Sequence, residues 1–179
     1  AGAGEVKVGT IETWLIWKLT GGASHVTDAT NASRTSLMDL STRQWRPDLA
    51  ELFHVPLTAL PEIRDCADHM GDCEPSLFGA ALPIHGAAGD QQAALVGHGA
   101  LKAGDAKITY GTGAFLVANV GKESVGSTSR LLATLGYAVK GQAAYALEGS
   151  IFAAGSAIQW LRDGLKVISE SRDSEAMAL

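Results

Sequence analysis

Leu82-Pro83-Ile84-His85-Gly86-Ala87-Ala88-Gly89-Asp90-Gln91-Gln92-Ala93-Ala94-Leu95-Val96-Gly97 sets the reading of the chain. A short apolar run reaches small residues and a glycine, then an acid, then a segment apolar at helical spacing. A carboxylate is thereby delivered where a strand hands over to a helix, and in open α/β sheets that edge is where ligands bind. Taken alone, an acid there is first of all an N-cap, and a cap can also do chemistry because negative charge is favoured at a helix N-terminus. About twenty residues on, Tyr110-Gly111-Thr112-Gly113-Ala114-Phe115 is a glycine turn between apolar runs that could present backbone N–H groups to an anion. No Lys follows it in the phosphate-loop pattern, and such tripeptides are common in hairpins. An acid followed by a phosphate-type turn nevertheless points to phosphoryl transfer.

The 179 residues, 46% hydrophobic and 18% charged, suit one folded domain or parts of two, and the 21 glycines suggest many tight turns. A formal net charge of -5 leaves no basic footprint, so nucleic acid is excluded as a partner and an anionic ligand has to be held by local donors. Cys66 and Cys73 flank His69, but a four-ligand zinc site needs a second pair at regular spacing; the two read as reduced thiols of a cytoplasmic protein, with no metal-binding residues assigned. No apolar run approaches the roughly 20 residues of a membrane span, and Ala1-Gly2-Ala3-Gly4 does not resemble a secretion signal. The first residue is not Met and Asp173 to Leu179 looks like the body of a helix, so the sequence is expected to be a piece of a longer protein.

Along the chain, Thr10 is the expected N-cap of a helix over residues 11–19 that Gly21-Gly22 ends, with Trp14, Leu15 and Trp17 expected to pack inward. The polar run 26–36 favours turns and caps; Asp28 and Arg34 could pair across it or line a cleft, and Asn31-Ala32-Ser33 matches a glycosylation acceptor by chance. A strand over 36–40, a turn over 42–45, a helix over 47–53 with Pro in its first turn, and loop over 54–64 follow. After Asp90 a helix runs to Gly97-His98-Gly99, and a domain boundary is expected at residue 98 to 100. Four antiparallel strands in two hairpins come next, turning at 111–113 and 140–142, and then a helix over 150–163 in which Ala154-Gly155-Ser156 makes one very small sector. His25, His54, His85 and His98 have no catalytic partner in sequence.

These same residues carry a family resemblance. Gly9 to Gly21 (GTIETWLIWKLTG), His25 to Thr35 (HVTDATNASRT), Ala88 to Leu95 (AGDQQAAL), Thr109 to Phe115 (TYGTGAF), Tyr145 to Gly149 (YALEG) and Ser156 to Asp163 (SAIQWLRD) closely resemble the glycerol-phosphorylating branch of the FGGY carbohydrate kinases, in order and over nearly the whole chain. The resemblance implies an α/β protein with the actin-like, ribonuclease H-type two-domain kinase fold, present only in part. Residues 1–98 would close the first domain and 99–179 would begin the second. It further implies ATP-dependent phosphorylation of glycerol with Mg²⁺, by a cytoplasmic homodimer or homotetramer. Asp90 matches the catalytic base, Gln91 a glycerol contact, Thr112 a nucleotide phosphate contact, and Gly155 and Gln159 nucleotide-binding positions. The family's first phosphate loop and its Arg-Glu and Tyr glycerol contacts match nothing in these residues, nor does the later adenosine site, so the 179 residues alone are expected to be inactive. Ala81 stands where some bacterial members carry an Arg for fructose bisphosphate, and that regulation is not carried over. Two alternatives stay open: an FGGY kinase for another polyol or a ketose, and a non-catalytic actin-like nucleotide-binding module.

Overall fold

The computed structural model describes residues 6–123, 126 and 130–178, so Ala1 to Gly4 and Leu179 lie outside the described residues. Strand β1 (Val26–Asp28) is buried at all three positions and runs parallel to β4 (Glu62–Arg64), with Val26 opposite Glu62 and Asp28 opposite Arg64. Residues 62–64 were expected to be loop. Two prolines nearby signalled a break, but the partner strand lies far back in the sequence, where no local pattern reveals it.

Asp28 then caps the short helix α2 (Ala29–Ala32), accepting from the N–H groups of Thr30 and Asn31. Of the two readings of Asp28 and Arg34, pairing across the turn is not made, because the carboxylate is saturated by neighbours and Arg34 turns to Glu148 instead, 3.0 Å away. Helix α1 (Ile11–Leu19) starts at Thr10 as expected, yet the Thr10 hydroxyl bonds to Glu12 and caps no backbone group. Gly21 and Gly22, at φ 62° and 87°, end it. Thr13 and Ile16 form its buried face, Ile16 packing on Val26 and Met70, while Trp14 and Leu15 are half exposed. The helix carries apolar residues on two faces, so periodicity alone did not say which one turns inward.

Met38–Asp39 (β2) and Gln44–Trp45 (β3) form a small hairpin, so half of the expected turn is strand. Pro47 opens α3 (Pro47–Leu52) as expected, and a 3-10 turn follows at Leu57–Ala59. The polar segment beyond holds β5 (Gly71–Asp72), α4 (Pro75–Phe78) and β6 (Pro83–Ile84), with β5 and β6 antiparallel. The strand before Asp90 is therefore only two residues long, and residues 85–89 carry the chain irregularly to α5 (Asp90–Gly97).

Beyond α5 the chain builds one antiparallel sheet from β7 (Ala106–Tyr110), β8 (Ala114–Gly121), β9 (Leu132–Val139) and β10 (Gln142–Ile151), in the order β7-β8-β10-β9. Both expected hairpins are present, and Lys140 and Gly141 take φ 51° and 74° in the second, as a tight two-residue turn requires. β10 extends to Ile151, where a helix was expected. Ser150 and Ile151 pair with Phe115 and Ala114, so the ladder outlasts the apolar pattern, and α6 (Gly155–Gln159) begins only after a bend. A π-helical turn, Trp160–Gly164, continues α6, and α7 (Asp173–Ala178) ends the described chain.

Helices lie against one face of this sheet. Ala29, Ala32 and Met38 share a core with Leu135, Ala138 and Tyr145, so residues on both sides of position 98 pack together. Leu95 of α5 is fully buried with Ala100, Val117 and Ala146. A Cβ on Gly136 would come within 3.2 Å of a Leu95 methyl, so the glycine leaves room for Leu95 where α5 meets β9.

Replacing Asp28 by Ala is expected to cost about 3 kcal/mol, because its buried donors lose their acceptor. Urea unfolding would show a lower midpoint at unchanged slope; a midpoint equal to that of the unsubstituted protein would contradict this role for Asp28.

Candidate functional site

Asp90 is not the N-cap of α5. Gly89 holds that position with extended backbone, and its N–H is tied to the Thr30 hydroxyl at 2.9 Å. A Cβ on Gly89 would stand 2.6 Å from the amide oxygen of Gln92, so a side chain that could cap the helix does not fit there without Gln92 moving. Asp90 becomes the first helical residue, exposed, its carboxylate accepting the N–H of Gln91 at 2.7 Å. The acid is thus turned outward at the helix mouth.

Below it lies the polar part of the sheet face. Lys107, Val117 and Glu148 stand side by side across β7, β8 and β10, and Thr109 and Phe115 form the next row. Alternation along each strand puts both rows on one face. Lys107 is only 4% exposed; its Nζ donates to the Thr109 hydroxyl at 2.7 Å and to the side-chain oxygen of Gln91. Burial lowers its pKa, opposed by the charges of Asp90 and Glu148. Glu148 is 6% exposed and meets Arg34: Nη2 lies 3.4 Å from Oε1, and Nη1 lies 3.0 Å from Oε2 but off the line of a hydrogen bond, so that second contact is one of charge. Two cations and two carboxylates therefore share this corner, Arg34 coming from the turn after α2.

A second cleft, of about 400 Å³, opens at the far end of β7. Thr112, Gly155 and Gln159, expected from separate parts of the sequence, all line it, with Gly111, Ile158, Arg162, Ser171 and Ser174. The β7–β8 turn and the start of α6 are locked together. The carbonyls of Gly111 and Thr112 accept the N–H groups of Gly155 (3.0 Å), Ala154 (2.9 Å) and Ser156 (3.1 Å). Within the turn the Gly111 N–H is used by Gly113 O at 2.7 Å. The turn's carbonyls thus hold the helix, and of its N–H donors that of Gly111 is spent within the turn. A Cβ on Gly155 would lie 2.4 Å from Gly111 O, so the small-residue sector serves a backbone contact.

The residues not singled out from sequence are Lys107, Glu148 and Arg162. Lys107 sits in an alternating strand where a charge reads as solvent-facing, yet it is buried and bonded to Gln91 of α5. Arg162 could have been found, since Gly155, Ile158, Gln159 and Arg162 follow helical spacing; its guanidinium is paired with Asp163. A larger groove, about 740 Å³, runs beside α5 and β9, but no carboxylate lines it.

The model for the N-terminal domain of the FGGY family of carbohydrate kinases matches residues 3–97. A glycerol kinase of Ectopseudomonas mendocina is 54% identical over 98% of this chain, which covers 35% of that protein. Among solved structures, Plasmodium falciparum glycerol kinase with ADP superposes with a TM-score of 0.88 at 41% identity, over 93% of this chain and 34% of that one. The xylulose kinase of Rhodospirillum rubrum gives 0.78 at 25% identity, over 94% and 35%. The chain thus spans about a third of the length of the curated relatives it matches, and its fold is the corresponding part of an actin-like two-domain α/β kinase.

The cysteine and histidine stretch serves neither cleft. Cys66 and Cys73 are free, His69 pairs with Asp72 at 3.2 Å and its ring lies 5.6 Å from that of His85, and among the described residues no three such groups gather to hold a metal. Burial and the neighbouring Asp28 push the Cys66 thiol up to about 12. Iodoacetamide at pH 8 is therefore expected to alkylate Cys66 roughly 10³-fold more slowly in the folded protein than after unfolding; equal rates would show that the thiol is not held in this way.

Proposed function

Because the chain belongs to the FGGY family of carbohydrate kinases, we propose that the whole protein is an ATP-dependent glycerol kinase that forms sn-glycerol 3-phosphate. The observation that supports this most is the line of β7. The strand meets Gln91 at Lys107, whose ammonium also bonds Thr109, and it ends at Tyr110, where the turn at residues 111–113 carries Thr112 into the second cleft. A nucleotide held at Thr112 and a glycerol held at Asp90 would thereby sit toward opposite ends of one strand. In this reading Asp90 accepts the proton of the glycerol 3-hydroxyl as that oxygen bonds to the γ-phosphorus, and Gln91 holds a hydroxyl beside it. Thr112, Gly155 and Gln159 hold the nucleotide, and the cleft they line fits a phosphate-bearing ligand more than an apolar one. Mg²⁺ would neutralise phosphate charge.

Glycerol is preferred over a ketose because the glycerol kinase relative is 54% identical and the xylulose kinase 25%. An exposed acid at a helix mouth, spared from capping, favours a kinase over a module that only binds nucleotide. We assign residues 1–98 to the first kinase domain and 99–179 to the second, in keeping with a family match that ends at residue 97 and a sheet that changes character after α5. The free thiols suit a cytoplasmic protein, and a homodimer or homotetramer is the assembly that the resemblance implies. The 179 residues alone, a third of the length of those relatives, are not expected to turn over.

In the full-length protein, Asp90→Asn is expected to lower kcat by roughly 10²-fold or more with little change in the KM for glycerol, measured by coupled ADP release; an unchanged kcat would remove Asp90 as the base. Gly155→Val is expected to raise the KM for ATP by roughly tenfold and to spare that for glycerol, since its side chain would push α6 off the β7–β8 turn. The reverse pattern would place the nucleotide elsewhere.

A further inference from the structure

Lys107 is a buried cation in a position that the proposed phosphoryl transfer does not yet use. Its ammonium has three donors and no acceptor, so whatever it bonds must turn an acceptor toward it. Gln91 does so with its amide oxygen, and Thr109 with its hydroxyl at 2.7 Å. The amide of Gln91 is then no longer free to flip: with its oxygen on the lysine, its NH₂ group is the end available to a ligand. Asp90, next in the chain, can only accept when it is ionised.

We infer that Lys107 is a positioning residue that sets the donor and acceptor pattern of the glycerol site through Gln91. This rests on the glycerol kinase reading. Asp90 then takes the proton of the hydroxyl that attacks, while the Gln91 NH₂ donates to the oxygen of a neighbouring hydroxyl. Two adjacent hydroxyls, one donating and one accepting, are what a vicinal polyol presents and what a simple alcohol lacks. Glu148 and Asp90 supply the opposite charge that keeps a buried lysine tolerable at this point, and Thr109 fixes the direction of its stem.

The test is a double-mutant cycle in the full-length protein with steady-state kinetics for glycerol and ATP. Lys107→Met is expected to raise the KM for glycerol roughly tenfold, with kcat within about threefold and the KM for ATP unchanged. Lys107→Arg, which keeps the donors, should restore most of the loss, separating a lost hydrogen bond from a damaged fold. In the Gln91→Ala background, Lys107→Met should add less than about twofold, because the group it acts through is gone. Multiplicative losses in the double variant would overturn the inference, as would a Lys107→Met enzyme with unaltered KM for glycerol or an arginine variant no better than the methionine one. The base assignment is judged separately by Asp90→Asn, so failure of the lysine role and failure of the kinase reading give different results.

Discussion

The carboxylate of Asp28 is the constraint on which the arrangement depends. It is fully buried, and burying an acid is costly unless its oxygens are met. Here they are met by the Thr30 N–H at 2.7 Å and hydroxyl, by the Asn31 N–H and side-chain amide, and by the Cys66 thiol at 3.3 Å. Each of those partners is itself tied onward. Thr30 also accepts the Gly89 N–H at the start of α5, and Cys66 bonds through its backbone to Ala138 of β9 and Ala87 before α5. One acid thus joins the parallel strand pair, the first helix after it, the sheet and the N-terminus of the helix that bears Asp90.

The second half of that positioning is apolar. Leu95 anchors α5 in the sheet and Gly136 leaves room for it, so the helix cannot slide without opening a cavity. With the axis held by Leu95 and the first turn held by Thr30 and Gly89, Asp90 and Gln91 have little choice but to overhang Lys107. A charge-balanced corner of Arg34, Glu148, Lys107 and Asp90 follows from the docking, and it gives the lysine a reason to be buried.

The second cleft follows a different logic. The turn between β7 and β8 acts as the cap of α6 through its carbonyl groups, so the two pieces that line the second cleft move as one. Glycine at 155 is required by a carbonyl, and glycine at 113 by the backbone of Ile151 and Phe152, which a Cβ would meet at 2.6 and 3.2 Å. The cleft is therefore built by backbone packing, with Thr112, Gln159 and Arg162 projecting from a rigid frame.

Local pattern determined the helices at Ile11 and Asp90, the proline-started helix at Pro47 and both hairpins, because glycine turns and apolar periodicity act over a few residues, while the family was legible as a resemblance of whole blocks of sequence. Asp90, the turn that holds Thr112 and the small sector at Gly155 stood out locally, while Gln91 and Gln159 were singled out by that resemblance alone. Tertiary structure alone decided what pairs with what: β4 found β1 from far along the chain, α1 buried Ile16 rather than Trp14, and Asp28 went to α2 while Arg34 went to Glu148. It also turned Lys107 from a strand charge into a buried donor and gathered Thr112, Gly155 and Gln159 into one cleft. Those outcomes depend on which distant surfaces meet and on which polar groups are left to satisfy once water is excluded, and neither is encoded within a short window of sequence.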